Sequence, residues 1–224
     1  MKVTTDACLF GAWVAKEVES EILKIKSVLD IGAGTGLLSL MIAQKNSSAD
    51  LLAVEIDKNA EIQAYENVNM SPWKEQVTIV NGDVKDYTFT FKFNFIVSNP
   101  PFYEREIRSS TDNKNIAHHS DELKLDELLE IVKNNLSFDG YFFLLLPYKR
   151  NEEIKKLFRG HQLHVSRMIF VRQSVKHDYF RIFIKGSLKG DEKETEFNEL
   201  SIWDDKQQYT NEFVTLLKDY YLHL

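Results

Sequence analysis

Short apolar runs alternate with longer amphipathic stretches along most of the chain. Ser27 to Ile31 is an apolar run that feeds a glycine-rich turn, and Leu37 to Gln44 then reads as a helix. Leu51 to Ile56 is a second apolar run, followed by a helix through Asn69. Val77 to Val80 and Phe93 to Val97 are the third and fourth runs. Asp121 to Asn135 carries Leu125, Leu128, Leu129 and Val132 at helical spacing, and Tyr141 to Leu146 is the fifth and longest run. Periods of two and of about 3.6 residues thus take turns, which predicts strands alternating with helices. That alternation predicts a parallel sheet with helices on both faces.

The pattern changes towards the end. Val165 to Val171 and Tyr179 to Ile184 are two β-rich runs joined by a short polar stretch, the signature of a hairpin. At least one strand is therefore expected to run antiparallel. Phe197 to Trp203 is a further candidate edge strand, and Asn211 to Leu222 reads as a closing helix. A mainly parallel sheet that ends in an antiparallel hairpin resembles the Rossmann-like fold of class I methyltransferases. That resemblance implies a seven-stranded sheet with one antiparallel strand. With no internal repeat and no low-complexity linker, residues 1–224 are expected to form a single domain.

Composition narrows the setting. No apolar run is long enough to span a bilayer, and the opening MKVTTDACLF has no long apolar region of the secretory kind. Cys8 is the only cysteine, so no internal disulfide can form, and a reducing cytoplasm is the expected compartment. The net charge of −6 argues weakly against a nucleic-acid partner, but the charge is uneven. Basic residues dominate from Lys149 to Lys185: Lys149, Arg150, Lys155, Lys156, Arg159, Arg167, Arg172, Lys176, Arg181 and Lys185. Such a stretch either attracts phosphates or is a set of solvated faces.

The glycine-rich turn is Asp30-Ile31-Gly32-Ala33-Gly34-Thr35-Gly36. Glycine permits positive φ and close backbone approach, so this loop can press its amides against a ligand at the carboxyl end of a strand. The compact G-x-G-x-G spacing resembles the nucleoside-methionine loop of class I methyltransferases; a generic dinucleotide site is the alternative. Glu55 ends the second strand, where a carboxylate can accept from both ribose hydroxyls. Asp83 follows the third strand, where it can accept from an adenine amine. Either residue could instead be an ordinary strand-end or cap residue. The candidate cofactor contacts in this region are Asp30, Gly32, Gly34, Gly36, Glu55, Ile56, Asp83 and Val84, with S-adenosylmethionine as the cofactor.

After the fourth strand comes Ser98-Asn99-Pro100-Pro101-Phe102-Tyr103. It resembles the (D/N)-P-P-(Y/F) loop of enzymes that methylate amino groups conjugated to a π system. The lone pair of such a nitrogen is delocalised and poorly nucleophilic. The Asn99 side-chain carbonyl can accept one N–H and the Pro100 backbone carbonyl the other, so the nitrogen can pyramidalise. Prolines stiffen the loop, and Phe102 or Tyr103 offers a face for a flipped base. This chemistry requires no metal and no strong base.

Together these residues resemble the bacterial tRNA1(Val) adenine-37 N6-methyltransferases. Further matching segments are Met1-Lys2-Val3-Thr4-Thr5-Asp6, Leu9-Phe10-Gly11-Ala12-Trp13, Glu66-Asn67-Val68-Asn69 and Ser71-Pro72-Trp73, with the aromatic end Tyr209 to Leu224. The resemblance implies N6-methylation of an adenine in tRNA, at A37 of tRNA1(Val). It also implies that Lys2, Thr5, Asp6 and Asn99 lie against the cofactor. Members of that family carry a short aromatic-rich segment ahead of the opening motif, which here stands first. A glutamine N5-methyltransferase acting on a release factor is the first rival, because that substrate also presents a conjugated NH2. A catalytically inactive protein that binds S-adenosylmethionine or RNA is the non-enzymatic rival. Glu104 to Ala117 could form a lid with Arg105, Arg108 and Lys114 meeting phosphate; His118 and His119 lack metal-ligand partners and read as plain loop. Trp13 and Trp73 read as packing residues.

Overall fold

The computed structural model describes residues 3–20, 26–101, 123–190 and 194–224. Element order is α1 (Thr5–Ser20), β1 (Ser27–Ile31), α2 (Leu37–Lys45), β2 (Asp50–Glu55), α3 (Lys58–Asn69), β3 (Val77–Asn81), β4 (Phe93–Ser98), α4 (Leu125–Asn135), β5 (Leu136–Pro147), α5 (Asn151–Gly160), β6 (His164–Ser174), β7 (Tyr179–Ser187), β8 (Glu196–Trp203) and α6 (Asn211–Leu217).

All strands join one sheet in the order β3-β2-β1-β4-β5-β7-β6-β8. β7 is antiparallel to both its neighbours, β5 and β6, whereas β8 pairs parallel to β6. Every other pairing is parallel. The expected seven strands are therefore eight: β8 extends the sheet past the hairpin. The single antiparallel strand is as expected. Because β7 inserts between β5 and β6, the carboxyl ends of β6 and β8 reach the same edge as those of β1, β4 and β5.

The central strands read as near-continuous apolar runs because both their faces are covered. Along β5 the side chains alternate: Phe143 and Leu145 join the core under α1 and α2, and Phe142, Leu144 and Leu146 join the core under α4 and α5. Trp13 of α1 is buried between Phe143, edge-on at 5.4 Å, and Phe183, stacked at 5.8 Å. Trp73 packs partly buried against the same core. Both tryptophans are thus packing residues.

Two helices depart from expectation. α5 has little sequence signal: it is dominated by charge and buries only Ile154 and Phe158, one helical turn apart. α6 stops at Leu217 rather than Leu222, and Tyr220 and Tyr221 turn back to donate to the Leu217 carbonyl. Among the described residues no helix is long and apolar enough to cross a membrane.

Candidate methyl-transfer site

The site is assembled where β1 and β4 end side by side. Ile31 is in register with Ser98, and the buried Ser98 hydroxyl donates to the Ile31 carbonyl at 2.7 Å. Asn99 thus begins its loop one strand away from Gly32, a spacing of about 4.8 Å between neighbouring strands. Asn99 is half-buried, Pro100 buried and Pro101 exposed. Phe102 and Tyr103 lie outside the described residues, as do Lys2 and the stretch from Glu104 to His119.

The glycine loop has the backbone that only glycine adopts freely. Gly32, Gly34 and Gly36 have φ of 72°, 58° and 78°. A side chain at Gly32 would meet nothing within 4 Å, so space lies open beside the loop. The turn is held from β2: Gly32 and Ala33 both donate to the Val54 carbonyl, at 2.9 and 3.2 Å.

Glu55 adopts a role that its position alone does not reveal. Its buried carboxylate accepts from the Gly34 amide at 2.7 Å and from the Asp57 amide at 2.9 Å. It therefore ties the glycine loop to the turn that starts α3. Each carboxylate oxygen keeps a second acceptor position. Ile56, the next residue, is 54% exposed, an unusual state for an isoleucine at a strand end.

Asp30 is fully buried. One oxygen accepts from the Ser39 hydroxyl at 2.7 Å; the other, Oδ1, has no hydrogen-bond partner among the described residues. Burial pushes its carboxyl up to about 7, opposed by the Ser39 hydrogen bonds and reinforced by the charge of Glu55. Asp83 caps the short 3-10 turn Val84–Asp86, accepting from the Lys85 amide at 2.9 Å, and pairs with the Lys85 ammonium at 3.2 Å. Val84 turns its side chain into the core.

Asp6 sits in the first turn of α1 and pairs with Arg181 Nε at 2.8 Å. Arg181 is in register with Pro147, at the end of β5, so Thr5 and Asp6 reach the carboxyl edge beside the site.

With this geometry in place, comparison with known proteins is decisive. Residues 13–161 match the model of the methyltransferase small domain. The chain is 35% identical over 229 residues to a tRNA1(Val) (adenine(37)-N6)-methyltransferase of Bacteroides fragilis, covering 100% of this chain and 92% of that protein. The chain is a member of the methyltransferase small domain family and of this group of methyltransferases. A relative bearing the same name from Dyadobacter fermentans is 44% identical over 147 residues, which span 66% of this chain and 59% of that protein. The fold agrees with a crystal structure of a predicted O-methyltransferase from Agrobacterium tumefaciens, with a TM-score of 0.69 and 13% identity over 94% of both chains.

The basic stretch of this methyltransferase is largely consumed by internal pairing. Glu17 of α1 accepts from both Arg167, at 2.7 Å, and Lys185, at 2.6 Å. Arg167 also pairs with Glu196, Arg172 with Glu199, Arg150 with Glu153 and Lys155 with Glu152. Lys185 lies over the Tyr141 ring at 4.5 Å. Arg167, Arg172 and Lys185 thereby tie elements together, whereas the Arg150 and Lys155 pairs are local to the start of α5 and exposed. Ser39, Ser98 and Glu17 carry no motif that marks their roles. Each is common on any surface, and only the fold shows what it holds.

Proposed function

We propose that this methyltransferase moves a methyl group from S-adenosylmethionine to N6 of adenine 37 in tRNA1(Val). The observation that carries the proposal is the Ile31–Ser98 register, which sets the Asn99-Pro100 loop beside the glycine loop. The relatives' names supply the substrate. On this reading residues 1–224 act as one catalytic domain.

The residues present fit the cofactor. Open space lies beside Gly32, Ile56 offers an exposed apolar face for an adenine ring, and Asp30 Oδ1 is an acceptor awaiting a donor. Glu55 would accept from ribose hydroxyls with its remaining lone pairs, and Asp83 from the adenine amine. Thr5 and Asp6 would border the methionine end. The cofactor supplies an electrophilic methyl group.

The protein's work is on the nucleophile. The Asn99 carbonyl and the Pro100 backbone carbonyl accept the two N–H bonds of the target amine. That grip rotates the lone pair out of conjugation and stabilises the positive charge that develops on nitrogen. Asn99 is neutral and half-buried, so it holds the amine in both protonation states. The proton then leaves to water.

The test offers labelled S-adenosylmethionine with separate pools of tRNA and of release factor. Label is expected in tRNA; label confined to the protein pool would replace this reading with glutamine methylation.

A further inference from the structure

A second cleft, of about 370 Å³, opens at the same carboxyl edge on the α1 side of the sheet. Thr5 and Asp6, Gln173 at the end of β6, Phe180 at the start of β7, and Trp203 and Tyr209 around the end of β8 line it. Tyr209 stacks on Trp203 with ring centres 4.1 Å apart and planes 22° apart, and on the buried Phe213 at 4.5 Å and 12°. The stack is braced: Trp203 bridges Tyr209 through the backbone, and the Asp204 carboxylate accepts from the Lys206 and Gln208 amides, each at 2.8 Å. Tyr209 nevertheless remains 36% exposed. Gln173 is exposed, and its amide makes no hydrogen bond among the described residues.

The chemistry of this lining selects among ligands. Tyr209 has Trp203 on one face and Phe213 on the other, and Arg181 lies over the Phe180 ring at 5.4 Å, so the outer face of Trp203, braced by Tyr209, is the aromatic platform, with Phe180 beside it. The Gln173 amide offers a donor and an acceptor in one plane, which matches the edge of a base. Among the described residues the lining holds no lysine or arginine, and its carboxylate, Asp6, is paired with Arg181, so the cleft presents no bare positive charge. That disfavours a phosphate and favours a neutral planar ring. Base stacking on aromatic side chains is the usual means of holding splayed single-stranded RNA. A braced stack loses little freedom on binding.

The Gln173 and Trp203 end of the cleft lies away from the Asn99 loop, although Thr5 and Asp6 bring its other end towards it. β4, β5, β7 and β6 are consecutive in the sheet, so the end of β6 lies three strand spacings, about 14 Å, from the Asn99 end of β4. We propose that this cleft is a subsite for a nucleobase flanking the methylated adenine, a reading that rests on RNA being the substrate.

The test uses the full chain and an anticodon stem-loop RNA containing adenine 37. Abasic sugars replace each loop nucleotide in turn, and binding is measured by fluorescence anisotropy for wild type, Tyr209→Leu and Gln173→Ala. One abasic position other than 37 is expected to weaken wild-type binding about tenfold. Each variant is expected to weaken binding of the intact RNA, yet to lose little more with that one abasic RNA, the non-additivity of a shared contact. Cofactor affinity should be unchanged. Additive losses at every position, or a loss of cofactor affinity in place of RNA affinity, would overturn the subsite. Gln173 is on the surface, so its variant keeps the test valid if Tyr209→Leu fails to fold. RNA that is methylated without this coupling removes the subsite alone; RNA that is neither bound nor methylated removes the substrate reading as well.

Discussion

Asn99 follows the end of β4, and Asp30 lies on the neighbouring β1. Asn99 must stay neutral and accept from an amine, and Asn99→Ala is expected to lower turnover at least a hundredfold while cofactor affinity, read by calorimetry, stays within a few-fold. Loss of cofactor binding instead would mean that Asn99 serves the cofactor alone. Asp30 is buried with an unpartnered oxygen and a carboxyl raised from 3.8 to about 7. The folded chain therefore holds this proton more tightly than the unfolded chain. The stability this group contributes is full below about pH 4 and is lost as pH rises through about 7. Asp30→Asn should raise the Tm of the ligand-free protein more at pH 8 than at pH 5; an equal change at both would refute the assignment. The Asp30 and Asn99 positions were legible in the sequence because each sits in a motif. The second duty of Glu55, clamping Gly34 and Asp57, was not: position marks a strand-end carboxylate but not which amides it meets.

At the scale of elements, α1 is fastened to the far half of the sheet by residues that sequence cannot connect. Glu17 meets Arg167 and Lys185 across 150 and 168 residues of chain. All three side chains are at least two-thirds buried, and Glu17→Ala leaves two cations underpaired. The expected loss is about 2 kcal/mol, or a Tm lowered by several degrees in a thermal melt. An unchanged Tm would show the pairs to be ornamental, as many exposed ones are. The same pairing accounts for what the Lys149 to Lys185 stretch left open: charge can be counted along a sequence, but partners cannot. The strands were legible because buried parallel strands are apolar throughout. α5 was not, since its apolar face is only Ile154 and Phe158 within a charged segment. The eighth strand was visible as a β-rich run, but its parallel place beside β6 follows from β7 inserting between β5 and β6.

For the molecule as a whole, the sheet gathers its chemistry on one edge. β1, β2 and β3 present the candidate cofactor residues, β4 the Asn99 loop, and β6 and β8 the aromatic cleft. One edge can thus hold the methyl donor, the target and a neighbouring base in a row. The net charge of −6, with much of the basic stretch already paired, predicts that RNA binding weakens only modestly with salt. A shallow slope of log affinity against log salt is expected, and a steep one would point to many phosphate contacts that this account does not contain. The most direct measurement is mass spectrometry of nucleosides and fragments from tRNA1(Val) after reaction with S-adenosylmethionine. The account predicts one N6-methyladenosine, at position 37, formed by wild type and absent with Asn99→Ala. Unmodified adenine 37 in tRNA1(Val), or a methyl group elsewhere that survives Asn99→Ala, would contradict it.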